Sequence, residues 1–425
     1  MNDLLHRLRR RPFLLVAAMT FALASSTLVA PRDAHACGGC FAPPDNVTSV
    51  TSHRMVVAIH PNESILWDQI RYAGNPADFS WVLPVWGDVR VELASGDFFD
   101  ALEASTSVRV NAPPVNFSCG MPSSGGFGCG AASLGARNSS DASAAQDAGV
   151  TVLNEMVVGP YETVTLRSTD TMSLTTWLEM HSYVIADAVR PIIQYYVDHG
   201  MDFIALRLRP GQGVQAMQPV RIRYSTSNMV LPLRMVTAGV TEKVGITLWA
   251  FGTGRYEPAN FGSGQVDPTD VVWDWDTRTS NYRTLFDSRI EALGGRAWLT
   301  EFSNFSGNVT PPASTEGLAD WNLAVGSMGS ITVTRLRTNL GANFLDADLQ
   351  LQAAANDTPV SNVINATQSI GTSPGARCAD MVLFPGQETY LRRPGRTLLG
   401  ALASVLALLV TRRKRRDETA DRRDS

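Results

Sequence analysis

Cys37-Gly38-Gly39-Cys40 has the spacing of a dithiol pair, and it is the first place in the chain where residue types could do chemistry. A reactive pair of this kind takes its low thiol pKa from a helix N-terminus that follows a strand. Here the pair opens the exported part of the chain and leads to Pro43-Pro44, which argues against a redox role. Zinc needs four good ligands, and no second Cys or His pair stands at usable spacing. His53 and His60 lie on a predicted hairpin, while His181 and His199 each end a predicted helix, where an imidazolium interacts favourably with the helix dipole. Asp267, Asp270, Asp274 and Asp276 carry enough carboxylates for calcium, but the glycine turn and late glutamate of an EF-hand are missing. The preferred reading there is a solvated loop with Trp273 and Trp275 turned inward. No nucleophile elbow, His-Glu-x-x-His or phosphate-binding glycine loop followed by Lys occurs. The sequence therefore assigns no catalytic residue, no metal ligand and no cofactor.

The two ends say where such a chain works. Arg7, Arg9, Arg10 and Arg11, an apolar stretch over residues 13–24 and the small-x-small site Ala34-His35-Ala36 make an export signal over residues 1–36. Cleavage after Ala36 leaves Cys37 first. Arg10-Arg11-Pro12-Phe13-Leu14 also resembles a twin-arginine signal. At the other end, residues 398–410 are uninterrupted by charge and are followed by Arg412, Arg413, Lys414, Arg415 and Arg416. This stretch is shorter than the roughly 20 apolar residues that span a bilayer comfortably, so it would thin the membrane or snorkel its flanking arginines. The basic cluster stays cytoplasmic and orients the preceding domain outward. We read residues 395–411 as a transmembrane or sorting helix and 412–425 as a basic cytoplasmic tail, with a plain anchor preferred over a cleaved sorting signal.

The formal net charge of −4 hides an acidic body. The two ends hold 13 of the 36 basic and 6 of the 40 acidic residues, leaving 23 basic against 34 acidic over residues 37–394. A body of about −11 argues against nucleic acid and against adsorption to anionic lipid. Only Lys243 and Lys414 are lysines, so lysine-dependent catalysis in the exported part would rest on Lys243.

Elements that would position any site are mostly strands. Residues 55–59 and 65–72 alternate around a Pro61-Asn62-Glu63-Ser64 turn and read as a hairpin. Further strands are predicted at 79–85, 89–93, 161–167, 203–209, 220–224, 229–236, 244–251 and 331–336. Helical spacing predicts helices at 97–106, 171–181, 187–199 and 281–293, with Gly200 and Gly294-Gly295 as closers. Strands that group around the helices, rather than alternating with them, favour an antiparallel, strand-dominated α+β domain over residues 37–394. Residues 118–148, rich in Gly, Ala and Ser, read as a flexible excursion, and a soft boundary is placed near 258 or at 307–317.

Asp78-Phe79-Ser80-Trp81-Val82-Leu83-Pro84-Val85, Val158-Gly159-Pro160-Tyr161, Trp177-Leu178 with Tyr183, Phe203-Ile204-Ala205-Leu206-Arg207-Leu208 and Val230-Leu231-Pro232-Leu233-Arg234 resemble the bacterial exported family known as domain of unknown function 2330. Thr334-Arg335-Leu336 and Asp348-Leu349 resemble its C-terminal portion. The resemblance implies exported proteins that begin with Cys-Gly-Gly after the signal, often membrane anchored, with no established activity and no catalytic residues to carry over. The chain departs from the family pattern at Cys40, where Phe is usual, and at His181-Ser182, where Asn-Gly is usual.

Five cysteines in an oxidising compartment imply disulfides with one left over. Cys119 and Cys129 bracket a flexible loop and are expected to pair. Cys40 with Cys378 is the favoured second pair, leaving Cys37 free, lipidated or exchanging. The nine tryptophans are spread through strands and helices as core residues are, and a glycan platform would need several on one surface. Together these features read as a non-enzymatic, membrane-anchored envelope scaffold or binding module with a protein or glycan partner. The alternative is an extracytoplasmic hydrolase with a dispersed catalytic site.

Overall fold

The strand Ser52–Ile59 shows how the chain is built. Met55 and Val57 enter one buried cluster, and Val56 and Ala58 enter another, as the two-residue period of a strand requires. A strand apolar on both faces belongs in the middle of a fold. In the computed structural model the described residues are 40–41, 52–69, 79–115, 146–147, 149–183, 185, 187–227, 230–237, 243–327 and 329–373. They fall into two units, one within 1–109, 132–267 and 283–364, the other within 110–131, 268–282 and 365–425.

The larger unit holds two main sheets. One is eight-stranded and contains Ser52–Ile59 between Lys243–Gly252 and Ser64–Gln69; the other is six-stranded, with Ser80–Val85 and Asp202–Leu208 side by side. Met55, Val57 and Leu66 of the first sheet share a cluster with Trp81, Leu83 and Leu206 of the second, so the sheets pack face to face. The outer face of the eight-stranded sheet, with Val56, Trp67, Trp249 and Phe251, is covered by the helices Gly96–Thr106 and Thr315–Val325. The outer face of the six-stranded sheet, with Val82, Leu166 and Phe203, is covered by Thr171–Met180 and Arg190–Asp198. The unit is thus layered helix, sheet, sheet, helix, and it is a strand-dominated α+β arrangement. The second unit carries a three-stranded sheet of Thr279–Ser280, Val272–Asp274 and Gln368–Ile370.

Several local expectations change on physical grounds. The eight-stranded sheet is mixed, because Ser52–Ile59 runs parallel to Lys243–Gly252; residues far apart in sequence can supply the crossover that a parallel pair needs. Of the strand predicted at 229–236, the described residues 230–236 do not form one strand. Val230–Leu231 pairs with Leu349–Ala353, Pro232 cannot donate to a ladder, and Leu233–Val236 turns into a short helix. The connection at 307–317 contains the start of an unanticipated helix, Thr315–Val325, whose N-cap Ser314 accepts from the Gly317 N–H. The strands Val150–Val158 and Ala297–Phe305 were also not anticipated; each carries a register shift that breaks its alternation. The predicted helices appear as Gly96–Thr106, Thr171–Met180, Arg190–Asp198 and Tyr282–Ala292. Gly200, Gly294 and Gly295 stand just beyond the last two with positive φ.

Ser182, which follows the helix Thr171–Met180, sits at φ 66. That left-handed conformation costs a side chain energy that glycine does not meet, and here a serine occupies it. We expect Ser182→Gly to stabilise the fold by about 0.5–1 kcal/mol, measured by urea unfolding; a destabilised variant would contradict this reading of the turn.

Candidate functional site

His53 and Asp68 form the most enclosed imidazole–carboxylate pair in the larger unit. Asp68 stands opposite Met55 in the hairpin register, so it lies on the same sheet face as Leu66, and His53 lies on the face of Met55. Nε2 of His53 is 2.6 Å from Oδ1 of Asp68, and the two side chains are 2% and 3% exposed. A carboxylate only accepts, so the proton of this bond is assigned to Nε2. Nδ1 of His53 is buried with no hydrogen-bond partner. Both residues line a cavity between the sheets, whose other walls are apolar side chains including Met55, Leu66, Trp81 and Met235. Its volume is about 10 Å³, room for about one water-sized body. A second cavity, of about 20 Å³, shares Leu66 and is bordered by Trp86 and Tyr224.

Two further buried polar clusters join helices to the eight-stranded sheet. Asp320, 1% exposed, accepts from Trp67 Nε1–H, Arg221 Nη1–H and the Ser95 N–H, each at 2.7 Å. Arg335 donates to Glu301 and in a fork to Glu103, at 2.9 Å in each bond, and its guanidinium lies 5.1 Å from the Trp249 ring centre. Arg337 donates to the other oxygen of Glu301. Such planar, multiply bonded carboxylate–guanidinium pairs are the geometry that buried charge requires. Asp320 shares the buried face of the helix Thr315–Val325 with Gly317, Trp321 and Ala324.

Tyr196 donates to Asp348 Oδ1 at 2.6 Å, and the Arg234 N–H donates to the same oxygen at 3.1 Å. Burial raises the Asp348 pKa above its ordinary 3.8, against the opposing hydrogen bond from Tyr196. The sign follows from linkage: a carboxyl with a raised folded pKa contributes stability that is complete below 3.8 and is lost as pH rises through the folded value. Urea unfolding of wild type and Asp348→Asn from acid to neutral pH is expected to show wild type losing ground to the variant as pH rises. A difference that does not change with pH would contradict the assignment.

His181 and His199 are both helix C-caps, and each Nδ1 bonds the carbonyl four residues back, Trp177 at 2.8 Å and Tyr195 at 2.6 Å. His181 also stacks on Trp177, with ring centres 3.7 Å apart. Neither histidine lines the two cavities described above. In the smaller unit, Asp274 Oδ1 accepts from the N–H groups of Asp276 and Thr277 and closes a turn, and Asp276 accepts from the Thr372 N–H. Trp273 and Trp275 meet edge to face at 6.2 Å and are only partly buried. Trp67, Trp81, Trp249 and Trp298 are fully enclosed, whereas Trp86 is 39% exposed.

Ala36, Cys37, Cys119, Cys129 and Cys378 lie outside the described residues, as do the export signal, most of the 118–148 excursion and the C-terminal tail. The backbone of Cys40 pairs with Trp81 at the edge of the six-stranded sheet. Among the described residues no helix is long and apolar enough to cross a membrane, and no group of three or more His, Cys, Asp or Glu side chains could hold a metal ion. No curated protein and no solved structure matches the chain. Residues 31–316 match the family described as uncharacterized protein conserved in bacteria, DUF2330, a stretch that takes in all five motif runs between Asp78 and Arg234 and stops short of Arg335 and Asp348. The chain is a member of that family.

Proposed function

We propose that the protein is an exported envelope protein, tethered by residues 395–411, whose body scaffolds or binds rather than catalyses. The observation that carries the reading is the engagement of its polar side chains. His181 and His199 close helices, Asp320 and Arg335 pin helices to the eight-stranded sheet, and Arg167 forks onto Asp202. A hydrolase needs a base beside a nucleophile and a place for the reacting group. The cavity at His53 is walled by aliphatic, thioether and aromatic side chains and by Asp68, which supports binding over hydrolysis. The export signal and the basic tail support the location.

The test is fractionation and external protease treatment of cells that make the full chain. The reading expects the body in the membrane fraction and cleaved from outside, and expects deletion of residues 398–425 to release it. A protected, cytosolic body would overturn it.

A further inference from the structure

The His53 cavity has a feature that neither packing nor a scaffold role requires. An imidazole fixed through one nitrogen by a carboxylate is the outer-shell arrangement found behind metal-ligating histidines, because it sets the tautomer and raises ligand basicity. Here Asp68 holds Nε2 at 2.6 Å, and the other nitrogen, Nδ1, is buried without a hydrogen-bond partner. Two methionines line the same cavity. Met55 is two residues from His53 on the same strand, and Met235 comes from the short helix Leu233–Val236; they are 2% and 1% exposed. Trp81, 1% exposed, adds an aromatic wall.

We propose that His53 Nδ1 and the thioether sulfurs of Met55 and Met235 form a site for one copper(I) ion, with Asp68 as the orienting carboxylate. Thioethers are soft donors that select copper(I), imidazole suits copper, and the two together disfavour the hard oxygen-seeking cations. The cavity of about 10 Å³ suits a single ion rather than an organic ligand. Methionine has three rotatable bonds, so its sulfur can turn to the metal without moving the backbone. A ring face such as that of Trp81 attracts a cation. The inference goes beyond the envelope reading and does not depend on it.

The experiment uses the full chain with its thiols alkylated, so that cysteine cannot bind the metal. Copper(I) is supplied under anaerobic, ascorbate-reduced conditions and partitioned against a chromophoric copper(I) chelator. The expected result is one equivalent retained, with an absorption-edge spectrum showing thioether sulfur and imidazole nitrogen. Met55→Leu combined with Met235→Leu, a volume-conserving pair, is expected to abolish retention, and Asp68→Asn to weaken it by about 10–100-fold. Replacing the buried Met201, which does not line the cavity, with Leu is expected to leave it unchanged. As a readout that needs no variant to fold, silver(I) is expected to shift the methyl NMR signals of Met55 and Met235. No retained copper, retention that survives the double substitution, or silver shifts confined to other methionines would each overturn the proposal and return Met55 and Met235 to plain core packing.

Discussion

Asp320→Ala is expected to destabilise the protein by about 3–5 kcal/mol, because removing one partner of a buried charge network leaves the others uncompensated. Three donors converge on this carboxylate from three elements: the indole of Trp67, the guanidinium of Arg221 and the backbone of Ser95. Trp67 is 0% exposed, so its N–H has no water to turn to. Ser95 is the N-cap of the helix Gly96–Thr106, and losing the bond to its backbone frees the start of that helix from Thr315–Val325. Arg221 keeps Glu92, which limits the cost on that arm. Asp320→Asn keeps an acceptor for Trp67 and Arg221 but turns its amide nitrogen toward the Ser95 N–H, and is expected to cost less than Asp320→Ala. Urea unfolding followed by tryptophan fluorescence reads both, and a loss below about 1 kcal/mol for Asp320→Ala would mean that the three bonds contribute little net stability.

Asp68→Ala is expected to cost about 2–4 kcal/mol, since it strands His53 in the core with neither ring nitrogen bonded to the protein. Replacing both partners by apolar residues removes the need for the bond. The double substitution of His53→Leu with Asp68→Leu is therefore expected to unfold within about 1 kcal/mol of wild type, less than either single change. A double-mutant cycle gives the coupling, and additive single effects would show that the pair is not an interacting unit. The cycle also bears on the copper site: a dyad that the fold can lose without cost is not there for stability.

Alternation made most of the central strands readable. Residues 220–224 and 89–93 fold over the predicted ranges, and 161–167 and 203–209 over nearly those ranges, because one face of each meets a core. Ala297–Phe305 escaped because Thr300, Glu301 and Ser303 are buried polar residues within it and a bulge interrupts its register. Both defeat a pattern reading that looks for apolar residues at every second position. The short helix Leu233–Val236 escaped for a different reason: its apolar residues fit a strand equally well, and only Pro232 marks the change.

The candidate site was less legible than the fold. The sequence places His53 on a hairpin, yet nothing local says that it meets Asp68, fifteen residues away, and not solvent. That outcome depends on the six-stranded sheet closing over the face that carries His53, Met55 and Leu66. Met235 reaches the same cavity from 180 residues further along the chain. By contrast, the capping of helix ends by His181 and His199 is a local matter and was readable from spacing alone.

The most direct test of the envelope assignment is the intact mass of the protein taken from its native membrane fraction, with peptide mapping without reduction. The account predicts a chain that begins at Cys37, retains residues 398–410 and ends at Ser425, with the mapping reporting the state of Cys37. A chain that still begins at Met1 and is recovered from the cytosol would contradict export, and one that ends before Leu398 would contradict the anchor.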